Sequence, residues 1–385
     1  MNAPAPRQVW YALPVLERGG AERVVANLAR RMPALGWTPA VCALERENAP
    51  VGKELAAAGV EVFGLRRHRR NTLACARDLA ERLALRQPEV VHAHLFHANL
   101  AARLAARMLK GRAGAYRPRI LSTVHVQERR FRPWQFALDR ATARWCEKEV
   151  CVGPSVERFQ RAKTGLPAGF FRVIENGIDL ARYPARTPSL RLAARARLDL
   201  DDATWLVLAI GRLDPQKDHA ALLEAWRRAA PANAELWIAG EGPERARLEA
   251  RLPPYARLIG FREDVPDLLA ACDLFVQPSA WEGQPLTVLE AMAMGCPILA
   301  SRIPAHEDLL SDGKTGVLVP PGDPGLWSQA LTAWLSREAD RAALGSAAWA
   351  EAHLRFSADR MAREHAALYE ECLGKDEVRS MKYEV

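Results

Sequence analysis

The sequence predicts an α/β protein that consists of two Rossmann-like domains. Strand-like apolar runs alternate with amphipathic helical runs along the chain, and this alternation restarts after a linker near the middle. The length of 385 residues exceeds one ordinary domain and suits two. We expect residues 1–185 and 186–355 to form two domains that face a cleft, and residues 356–385 to form a C-terminal helix and tail that return to the first domain.

In the first half, short apolar runs predict buried strands, and apolar residues with helical periodicity predict helices. The predicted strands are residues 8–13, 39–44, 60–65, 89–93, 120–125, 149–152 and 172–174. The predicted helices are residues 21–32, 72–86, 99–108 and 134–145. Because strands alternate with helices, we expect a parallel sheet that is covered on both faces.

The second half begins after residues 183–188, whose two prolines indicate a linker. The predicted strands are residues 205–210, 234–239, 256–258, 274–277, 298–301 and 317–319. The predicted helices are residues 219–230, 243–250, 266–271 and 286–294, followed by helical stretches from 324 to about 356 and on to about 373. In open sheets of this type, ligands bind at the carboxyl ends of the strands.

The composition is that of a globular protein, with 49% hydrophobic and 26% charged residues. No run of 18 apolar residues predicts a membrane-spanning helix, and the short apolar run near the N-terminus is not typical of a secretory signal. The seven cysteines are scattered without a Cys-x-x-Cys pair, so we expect reduced thiols, neither zinc nor disulfides, and a cytoplasmic location.

The net charge of +8 is unevenly distributed along the chain. Basic residues exceed acidic ones by 15 over residues 1–185, whereas acidic residues exceed basic ones by 7 over the remainder. This asymmetry indicates a surface that faces anions, with lipid headgroups, a lipid-pyrophosphate acceptor and nucleic acid as the candidates. The basic segments 66–70 and 129–134 favour peripheral contact with an anionic inner membrane surface, although each is also compatible with an ordinary solvated surface.

Two glutamates eight residues apart form the most informative local pattern. Glu282 lies in a Gly/Pro loop, and Glu290 lies about one turn inside a helix that Pro285 can open. This spacing brings two carboxylates and the positive end of a helix around one small volume. A nucleotide-sugar diphosphate needs such a volume, because its phosphates accept hydrogen bonds from backbone N–H groups and its hydroxyls donate to carboxylates.

Two further loops contain groups that suit a diphosphate. Arg212 and Lys217 lie on a loop that follows a predicted strand, where a guanidinium fork and an ammonium can clamp a pyrophosphate. Gly19 and Gly20 stand between the first strand and the first helix, where the backbone can approach a ligand closely. Either motif alone is also compatible with an ordinary surface loop.

Together these motifs resemble the retaining nucleotide-sugar glycosyltransferases of the GT-B fold, family 4. The run from Ser279 to Pro297 is similar to the Glu-x7-Glu signature of that family, and Gly211–Lys217 is similar to its Gly-Arg-Leu-x-x-x-Lys motif. Further similar segments are Gly-Gly-x-Glu at 19–22, Thr-x-His at 123–125, Asn-Gly-Ile-Asp at 176–179 and Gly-Phe-Arg at 260–262. The family usually has glycine where this chain has Asp218.

The resemblance implies a role for each candidate residue. Arg212 and Lys217 would neutralise the diphosphate, and the amides of Leu286 and Thr287 would bind it at the helix N-terminus. Glu282 would bind the hexose, Glu290 the ribose, and His125 the hexose from the first domain, so that catalysis requires cleft closure. The implied catalytic residues are Glu282, His125, Arg212 and Lys217. The implied donor-binding residues are Gly19, Gly20, Arg212, Lys217, Phe261, Arg262, Glu282, Gly283, Leu286, Thr287 and Glu290.

Three histidines fall in the short stretch 92–97 at the end of a predicted strand. Metal ligation there is disfavoured, because no Cys, Asp or Glu has ligand spacing. Since the loop leaves the carboxyl end of a strand, we place His94, His97 and Asn99 on the acceptor side. A structural role is an equally acceptable interpretation for each histidine.

The resulting hypothesis is a retaining hexosyltransferase that needs neither a metal nor another cofactor. It would move a hexose or N-acetylhexosamine from a UDP-sugar to a saccharide acceptor, expected to be lipid-linked, in bacterial cell-surface polysaccharide biosynthesis. The alternatives are a GT-B nucleotide-sugar epimerase and a non-catalytic protein that binds a nucleotide sugar or nucleic acid. Nucleic acid is not an expected partner, because it would not require Glu282, Glu290 and Arg212 in these contexts.

Overall fold

The computed structural model describes residues 7–65, 71–110 and 116–380, with side chains described to residue 374. The chain forms two compact units. The first domain contains the chain up to Gly177 together with the segment that begins at Ala358, and the second domain contains Ile178–Ser357. The basic segment 66–70 lies outside the described residues.

In the described part of the first domain, seven strands form one parallel sheet in the order β3-β2-β1-β4-β5-β6-β7. The strands are β1 (Arg7–Leu13), β2 (Trp37–Ala43), β3 (Glu61–Gly64), β4 (Val90–His94), β5 (Arg119–Val124), β6 (Lys148–Cys151) and β7 (Phe171–Val173). The helices are α1 (Gly20–Arg31), α2 (Pro50–Ala57), α3 (Thr72–Arg86), α4 (Phe96–Leu109), α5 (Pro133–Thr142), α6 (Pro154–Thr164) and the C-terminal α15 (Ala358–Ser380).

The described part of the second domain has a six-stranded parallel sheet in the order β10-β9-β8-β11-β12-β13. The strands are β8 (Trp205–Ile210), β9 (Ala234–Ala239), β10 (Ala256–Gly260), β11 (Leu274–Gln277), β12 (Ile298–Ser301) and β13 (Val317–Val319). The helices are α7 (Pro188–Arg197), α8 (His219–Ala229), α9 (Arg245–Glu249), α10 (Val265–Ala271), α11 (Leu286–Met294), α12 (Pro304–Glu307), α13 (Pro324–Leu335) and α14 (Glu338–Arg355).

The prediction of two parallel α/β domains is therefore confirmed. Strands such as β4 and β11 are buried along their whole length, as expected for parallel strands covered by helices on both faces. The strand order reverses between β1 and β4 in the first sheet and between β8 and β11 in the second. Ligands of doubly wound sheets bind at this switch point, so the loops after these four strands are where a site is expected.

The C-terminal helix α15 is a structural part of the first domain. Arg360 donates hydrogen bonds to the carbonyl oxygens of Glu175 and Asn176, at 2.7 and 3.1 Å. The ring of Tyr369 lies edge-on to Trp37 of β2, with 5.3 Å between the ring centroids. The helix therefore completes the domain that the first 177 residues begin.

The boundary between the domains differs from the predicted one at 185/186. The compact units divide after Gly177, because Ile178 and Tyr183 are buried in the core of the second domain. The backbone N–H of Arg186 also donates to the carbonyl of Met294, at 3.2 Å. The segment that the prolines marked as a linker is thus packed on the second domain, and the second crossing follows Ser357 rather than residue 355.

Four helices were not predicted from the sequence, namely α2, α6, α7 and α12. Each of them begins with a proline at its first position. Proline is well placed there, since its missing N–H is not needed in the first turn and its fixed φ suits a helix. Pro188 had been interpreted as part of the linker, so the helix α7 that it opens was missed.

Candidate functional site

The loops after β8 and β11 are bonded to each other in the second domain. The Nζ of Lys217 lies 2.5 Å from the Oε1 of Glu282, and the backbone N–H of Ala280 donates to the carbonyl of Gln216 at 2.8 Å. Lys217 belongs to the loop that follows β8, and Glu282 to the loop between β11 and α11. The two motifs that the sequence singled out therefore meet at the switch point of the sheet.

Glu282 is buried and accepts hydrogen bonds from three polar side chains in addition to Lys217. Ser279 Oγ donates at 2.7 Å, Gln216 Nε2 at 3.0 Å and Gln277 Nε2 at 3.3 Å. Burial by itself would raise the pKa of Glu282. The positive charge of Lys217 and the hydrogen bonds that the Glu282 carboxylate accepts outweigh this effect, so the pKa of Glu282 is below its ordinary value. The carboxylate is therefore a fixed negative charge that orients the Lys217 ammonium.

A buried histidine lies behind this ion pair. His306 of α12 bonds through Nδ1 to the carbonyl oxygen of Ser301 at 2.7 Å, and Ser301 Oγ donates to the carbonyl oxygen of Ser279. Burial lowers the pKa of His306 to about 4, although Glu282 acts in the opposite direction. His306 is thus neutral at physiological pH and joins α12 to β12, while Ser301 joins β12 to the loop that positions Glu282.

Arg212 is the exposed cation of this site. Its side chain is solvent-exposed, and its guanidinium forms no hydrogen bond or ion pair with any described residue. The stem of Lys217 lies against the α-carbon of Gly211, so a side chain at that position would press on the lysine. The loop therefore presents an unpartnered guanidinium five residues before an ammonium that is held by Glu282.

The N-terminus of α11 is open. Pro285 is its N-cap residue and supplies no side-chain hydrogen bond, and the N–H groups of Leu286 and Thr287 have no acceptor among the described residues. The Oγ1 of Thr287 is buried and lacks a partner in the same part of the chain. Gly283 is buried just before the helix, and Glu290 is half-buried one turn into it. Unsatisfied donors at a helix N-terminus attract anions.

The predicted base-binding loop after β10 is only partly free. Phe261 is 46% exposed, whereas Arg262 forms a two-point ion pair with Asp264, in which Nε lies 2.8 Å from Oδ1. This ion pair directs the guanidinium toward its own loop. Stacking of Arg262 on a base remains a prediction, and the exposed ring of Phe261 is the better available flat surface.

Asp218, which replaces the usual glycine of the family, occupies a left-handed conformation with φ of +49°. Glycine adopts this conformation without strain, which explains its use after the lysine, and aspartate is one of the few other residues that tolerate it. Burial raises the pKa of the Asp218 carboxyl. The departure therefore keeps the backbone turn and adds a partly buried carboxyl group beside Lys217.

In the first domain, the loop after β1 places Gly19 and Gly20 at the start of α1. Gly19 is the N-cap residue, and the carboxylate of Glu22 folds back over its α-carbon. Glu22 is buried, and burial raises its pKa. A β-carbon at position 19 would meet this carboxylate, so a side chain there would displace Glu22 from its place over the loop, whereas the φ of −148° suits any residue.

The histidines at the ends of β4 and β5 are brought together within the first domain. His94 Nδ1 lies 2.9 Å from His125 Nε2, and the ring of His92 lies 4.4 Å from that of His94. Burial lowers the pKa of His125 to about 3 and those of His92 and His94 well below their ordinary value. These rings are therefore neutral donors and acceptors.

The other two residues assigned to the acceptor side differ in exposure. His97 is exposed on α4, and its Nδ1 lies 3.4 Å from Thr72 Oγ1. Asn99 is buried, and its side-chain amide donates to the carbonyl oxygen of Thr123 at 3.1 Å. The hydrogen bond of Asn99 connects α4 to β5, so its role in the structure is to hold these two elements together. The side chain of His97 is accessible to solvent.

Several site residues were not predicted from the sequence. Gln277 and Ser279 alternate at the end of β11, and this two-residue spacing toward Glu282 could have indicated them. Tyr369 gave no local signal, because its partner His92 is 277 residues away in the sequence. His306 was missed although its partner Ser301 is only five residues away. Within the described residues, no group of three or more His, Cys, Asp or Glu side chains could hold a metal ion. None of the seven cysteines, which all lie in described ranges, forms a disulfide.

Comparison with known proteins identifies the class to which this architecture belongs. Residues 18–182 match the family model described as Glycosyltransferase Family 4, and residues 205–337 match the one described as Glycosyl transferases group 1. The chain belongs to this glycosyltransferase family.

Curated relatives include a D-inositol 3-phosphate glycosyltransferase of Salinispora tropica, 33% identical over 59% of this chain and 50% of the relative. The lipopolysaccharide core biosynthesis mannosyltransferase LpsB of Rhizobium meliloti is 31% identical over 51% of this chain and 60% of its own. A UDP-Gal:alpha-D-GlcNAc-diphosphoundecaprenol alpha-1,3-galactosyltransferase of Escherichia coli is 27% identical over 63% and 65%. The chain thus spans about half to two thirds of the length of these relatives.

Solved structures share the whole fold at low sequence identity. Anabaena Alr3699/HepE in complex with UDP and glucose superposes with a TM-score of 0.82 at 19% identity, over 95% of this chain and 100% of its own. WaaG, a glycosyltransferase involved in lipopolysaccharide biosynthesis, has a TM-score of 0.72 at 18% identity, over 94% and 99%. At such identities the likeness concerns the fold, which agrees with the GT-B prediction.

Proposed function

We propose that this protein is a retaining, metal-independent glycosyltransferase that uses a UDP-sugar as donor and a saccharide as acceptor. The observation that carries the proposal is the joined pair of loops at the β8/β11 switch point. They hold Lys217 on Glu282, leave the guanidinium of Arg212 without a partner, and precede the open N-terminus of α11. This is a set of donors for a diphosphate.

The chemical argument starts from the charge that develops on the leaving diphosphate. Arg212, Lys217 and the amides of α11 would stabilise that charge without a metal ion, and Lys217 and the amides are already held in place by the ion pair with Glu282 and by the helix. Lys217 has one of its three N–H groups committed to Glu282, which fixes its position and leaves the others for phosphate oxygens. Glu282 Oε2, which accepts from Gln216, has further acceptor capacity for a hexose hydroxyl.

The donor nucleotide and the acceptor are inferred from the comparisons. The structural neighbour Alr3699/HepE was solved with UDP-glucose, and the relative from Escherichia coli is named for UDP-Gal and an undecaprenol-linked acceptor. A relative from Corynebacterium glutamicum is named as GDP-mannose-dependent, so GDP is the competing nucleotide. We therefore propose UDP with a lipid-linked saccharide, in cell-surface polysaccharide synthesis.

Contact with a membrane surface is a further part of the proposal. None of the described helices is long and apolar enough to cross a bilayer. The segment before and at the start of α5 exposes Arg129, Arg132 and Trp134, the last with 57% exposure. Phe131 in the same segment is half-buried, and its ring packs on that of Phe96, with 5.1 Å between the centroids. Exposed arginines around an exposed tryptophan suit an anionic lipid surface.

Calorimetric titration with UDP, GDP and ADP in EDTA tests the diphosphate site. We expect UDP to bind without a metal, and Arg212→Ala to weaken it about tenfold or more, since a charge-assisted hydrogen bond is lost. Arg228→Ala is the matched control, because Arg228 is an exposed arginine of α8 in the same domain, paired with Glu224. Equal losses in the two variants, or no binding of any nucleotide at millimolar concentration, contradict the proposal.

Product analysis then separates transfer from epimerisation. Release of UDP that depends on an added saccharide acceptor, with the donor's anomeric configuration kept in the product, supports a retaining transferase. Interconversion of the donor sugar without any acceptor would indicate the epimerase instead. A preference for GDP-mannose would keep the transferase and change the donor.

A further inference from the structure

A column of four histidines lies in the first domain, and the proposal for the second domain's site gives it no role. The neighbouring rings are His365, His92, His94 and His125, with centroids 5.4, 4.4 and 5.2 Å apart in that order. The column begins on α15, passes through β4 and ends at the residue after β5. Because buried polar rings are costly unless they are hydrogen-bonded, the contacts of each ring indicate what the column does.

His92 is fixed at both of its nitrogens. Its Nδ1 lies 2.7 Å from the hydroxyl of Tyr369 on α15, and its Nε2 lies 2.6 Å from the Oγ1 of Thr123 on β5. The side chain has no solvent exposure, so a rotation of the ring would leave two buried nitrogens unsatisfied. The ring of His92 therefore has a fixed orientation, and the ring of His94 packs against it.

His94 has one bonded nitrogen and one without a partner. Its Nδ1 lies 2.9 Å from His125 Nε2, and its Nε2 is buried without a hydrogen bond to any described residue. Both rings are neutral, because burial lowers their pKa values, so each carries a single N–H. A buried N–H without an acceptor is less tolerable than a bare ring nitrogen. His94 therefore carries its proton on Nδ1 and donates it to His125.

We propose that His94 sets the tautomer of His125, so that His125 carries its own proton on Nδ1 and presents an N–H donor at the end of β5. Tyr369 and His92 are positioning residues that hold His94 in the required orientation. The target of the donor, a hydroxyl oxygen of the sugar substrate, rests on the proposed function. The tautomer itself depends only on contacts inside the first domain.

Backbone strain beside His94 is an independent observation at the same place. Leu95 has φ of +69° and ψ of 155°, a conformation that is otherwise almost confined to glycine and costs roughly 1–3 kcal/mol. Its N–H donates to the carbonyl oxygen of Thr123 at 3.3 Å, and α4 begins at the next residue. Strain of this kind persists where the surroundings fix the geometry, as expected at a functional strand end.

Nitrogen-15 NMR of the histidine-labelled protein without ligand tests the tautomer directly. We expect the proton of His94 and that of His125 on Nδ1 in the wild type. In His94→Phe, which keeps a flat ring against His92, His125 should change toward the Nε2–H form that free histidine side chains prefer. His353→Phe is the control on α14 and should leave the His125 signals unchanged. A wild-type His125 protonated on Nε2 overturns the proposal.

Kinetics provide the second readout. His94→Phe should lower kcat/KM about tenfold, the loss of one oriented hydrogen bond, with Tyr369→Phe causing a smaller loss. In a His125→Asn background, the side-chain amide of asparagine is a donor whatever its neighbour is. His94→Phe should therefore cause no further loss of kcat/KM in that background, and additive losses would refute the coupling between His94 and His125. His94→Leu is the second variant if the phenylalanine does not fold. The Nδ1–H tautomer without any turnover would preserve this inference while contradicting the proposed function.

Discussion

Replacement of Glu282 by glutamine tests whether the buried ion pair organises the second domain's site. Gln has the same shape, so the change removes the charge and leaves the packing. The side chain of Glu282 is 6% exposed and that of Lys217 is 16% exposed, so the ammonium would stay largely buried without its counter-ion. One amide hydrogen of the new side chain would also face another donor, because Lys217, Ser279 and the glutamines all donate to this position.

The expected loss follows from these contacts. Removing one partner of a buried ion pair costs 3–5 kcal/mol in general, and the partial exposure of Lys217 places this case near the lower end, at about 3 kcal/mol. Lys217→Met should cost less, about 2 kcal/mol, because Glu282 would keep three hydrogen bonds. The double variant, Glu282→Gln with Lys217→Met, buries neither charge. Its loss in the free energy of unfolding should therefore be at least about 2 kcal/mol smaller than the sum of the two single losses.

The assay is urea unfolding at 25 °C, with the transition of the second domain assigned by hydrogen exchange of peptides from β11 and α11. The pH dependence has a definite sign. Since the folded state lowers the pKa of Glu282, the stabilisation is complete above the ordinary glutamate pKa of about 4.3 and is lost as the pH falls further. The gap between wild type and Glu282→Gln should therefore narrow at acid pH. Additive single losses, or a gap that does not depend on pH, would refute this reasoning.

Two further predictions concern Asp218 and the membrane. Asp218→Asn keeps a residue that tolerates a left-handed φ but removes a carboxyl whose pKa is raised by burial. The variant should therefore be more stable than the wild type at neutral pH, and this difference in the free energy of unfolding should disappear below pH 4. Urea unfolding at both pH values measures the two free energies. For membrane contact, Trp134→Ala and Arg132→Ala should each reduce sedimentation of the protein with phosphatidylglycerol vesicles severalfold at low salt. Tyr255→Ala, which removes an exposed aromatic ring of the second domain, is the control and should not reduce it. Equal reductions in all three variants would contradict docking through α5.

The grouping of side chains at the β8/β11 switch point was largely predictable, because these groups are close together in the sequence. Arg212 and Lys217 follow one strand, and Glu282 and Glu290 flank the start of one helix. Ligands of such sheets are bound by loops after neighbouring strands, so the spacing of charges along the chain reflects their spacing at the sheet edge. The same logic predicted β8, β11 and α11 with the boundaries that the structure has.

What the sequence could not provide was pairing across long separations. It assigned Lys217 and Glu282 to different parts of the donor, and only the fold shows that they bond to each other. Tyr369 and Tyr11 are 358 residues apart, yet their hydroxyls lie 3.4 Å from each other beside His92. No periodicity or motif reports such contacts, because they are set when α15 packs on the sheet of the first domain.

The Lys217–Glu282 pair also bears on how the proposed donor site works. A free lysine head group samples many positions, and fixing it on a phosphate at the moment of binding costs side-chain entropy. Here Glu282 holds the ammonium before any ligand arrives, and the absence of a side chain at Gly211 leaves room for the stem. The carboxylate weakens the net positive charge, but Arg212 and the open end of α11 are not neutralised in this way. In the proposed reaction, Lys217 would lose part of its attraction for the phosphate and gain a defined position. This would favour the transition state, where the position of the phosphate matters more than the total charge.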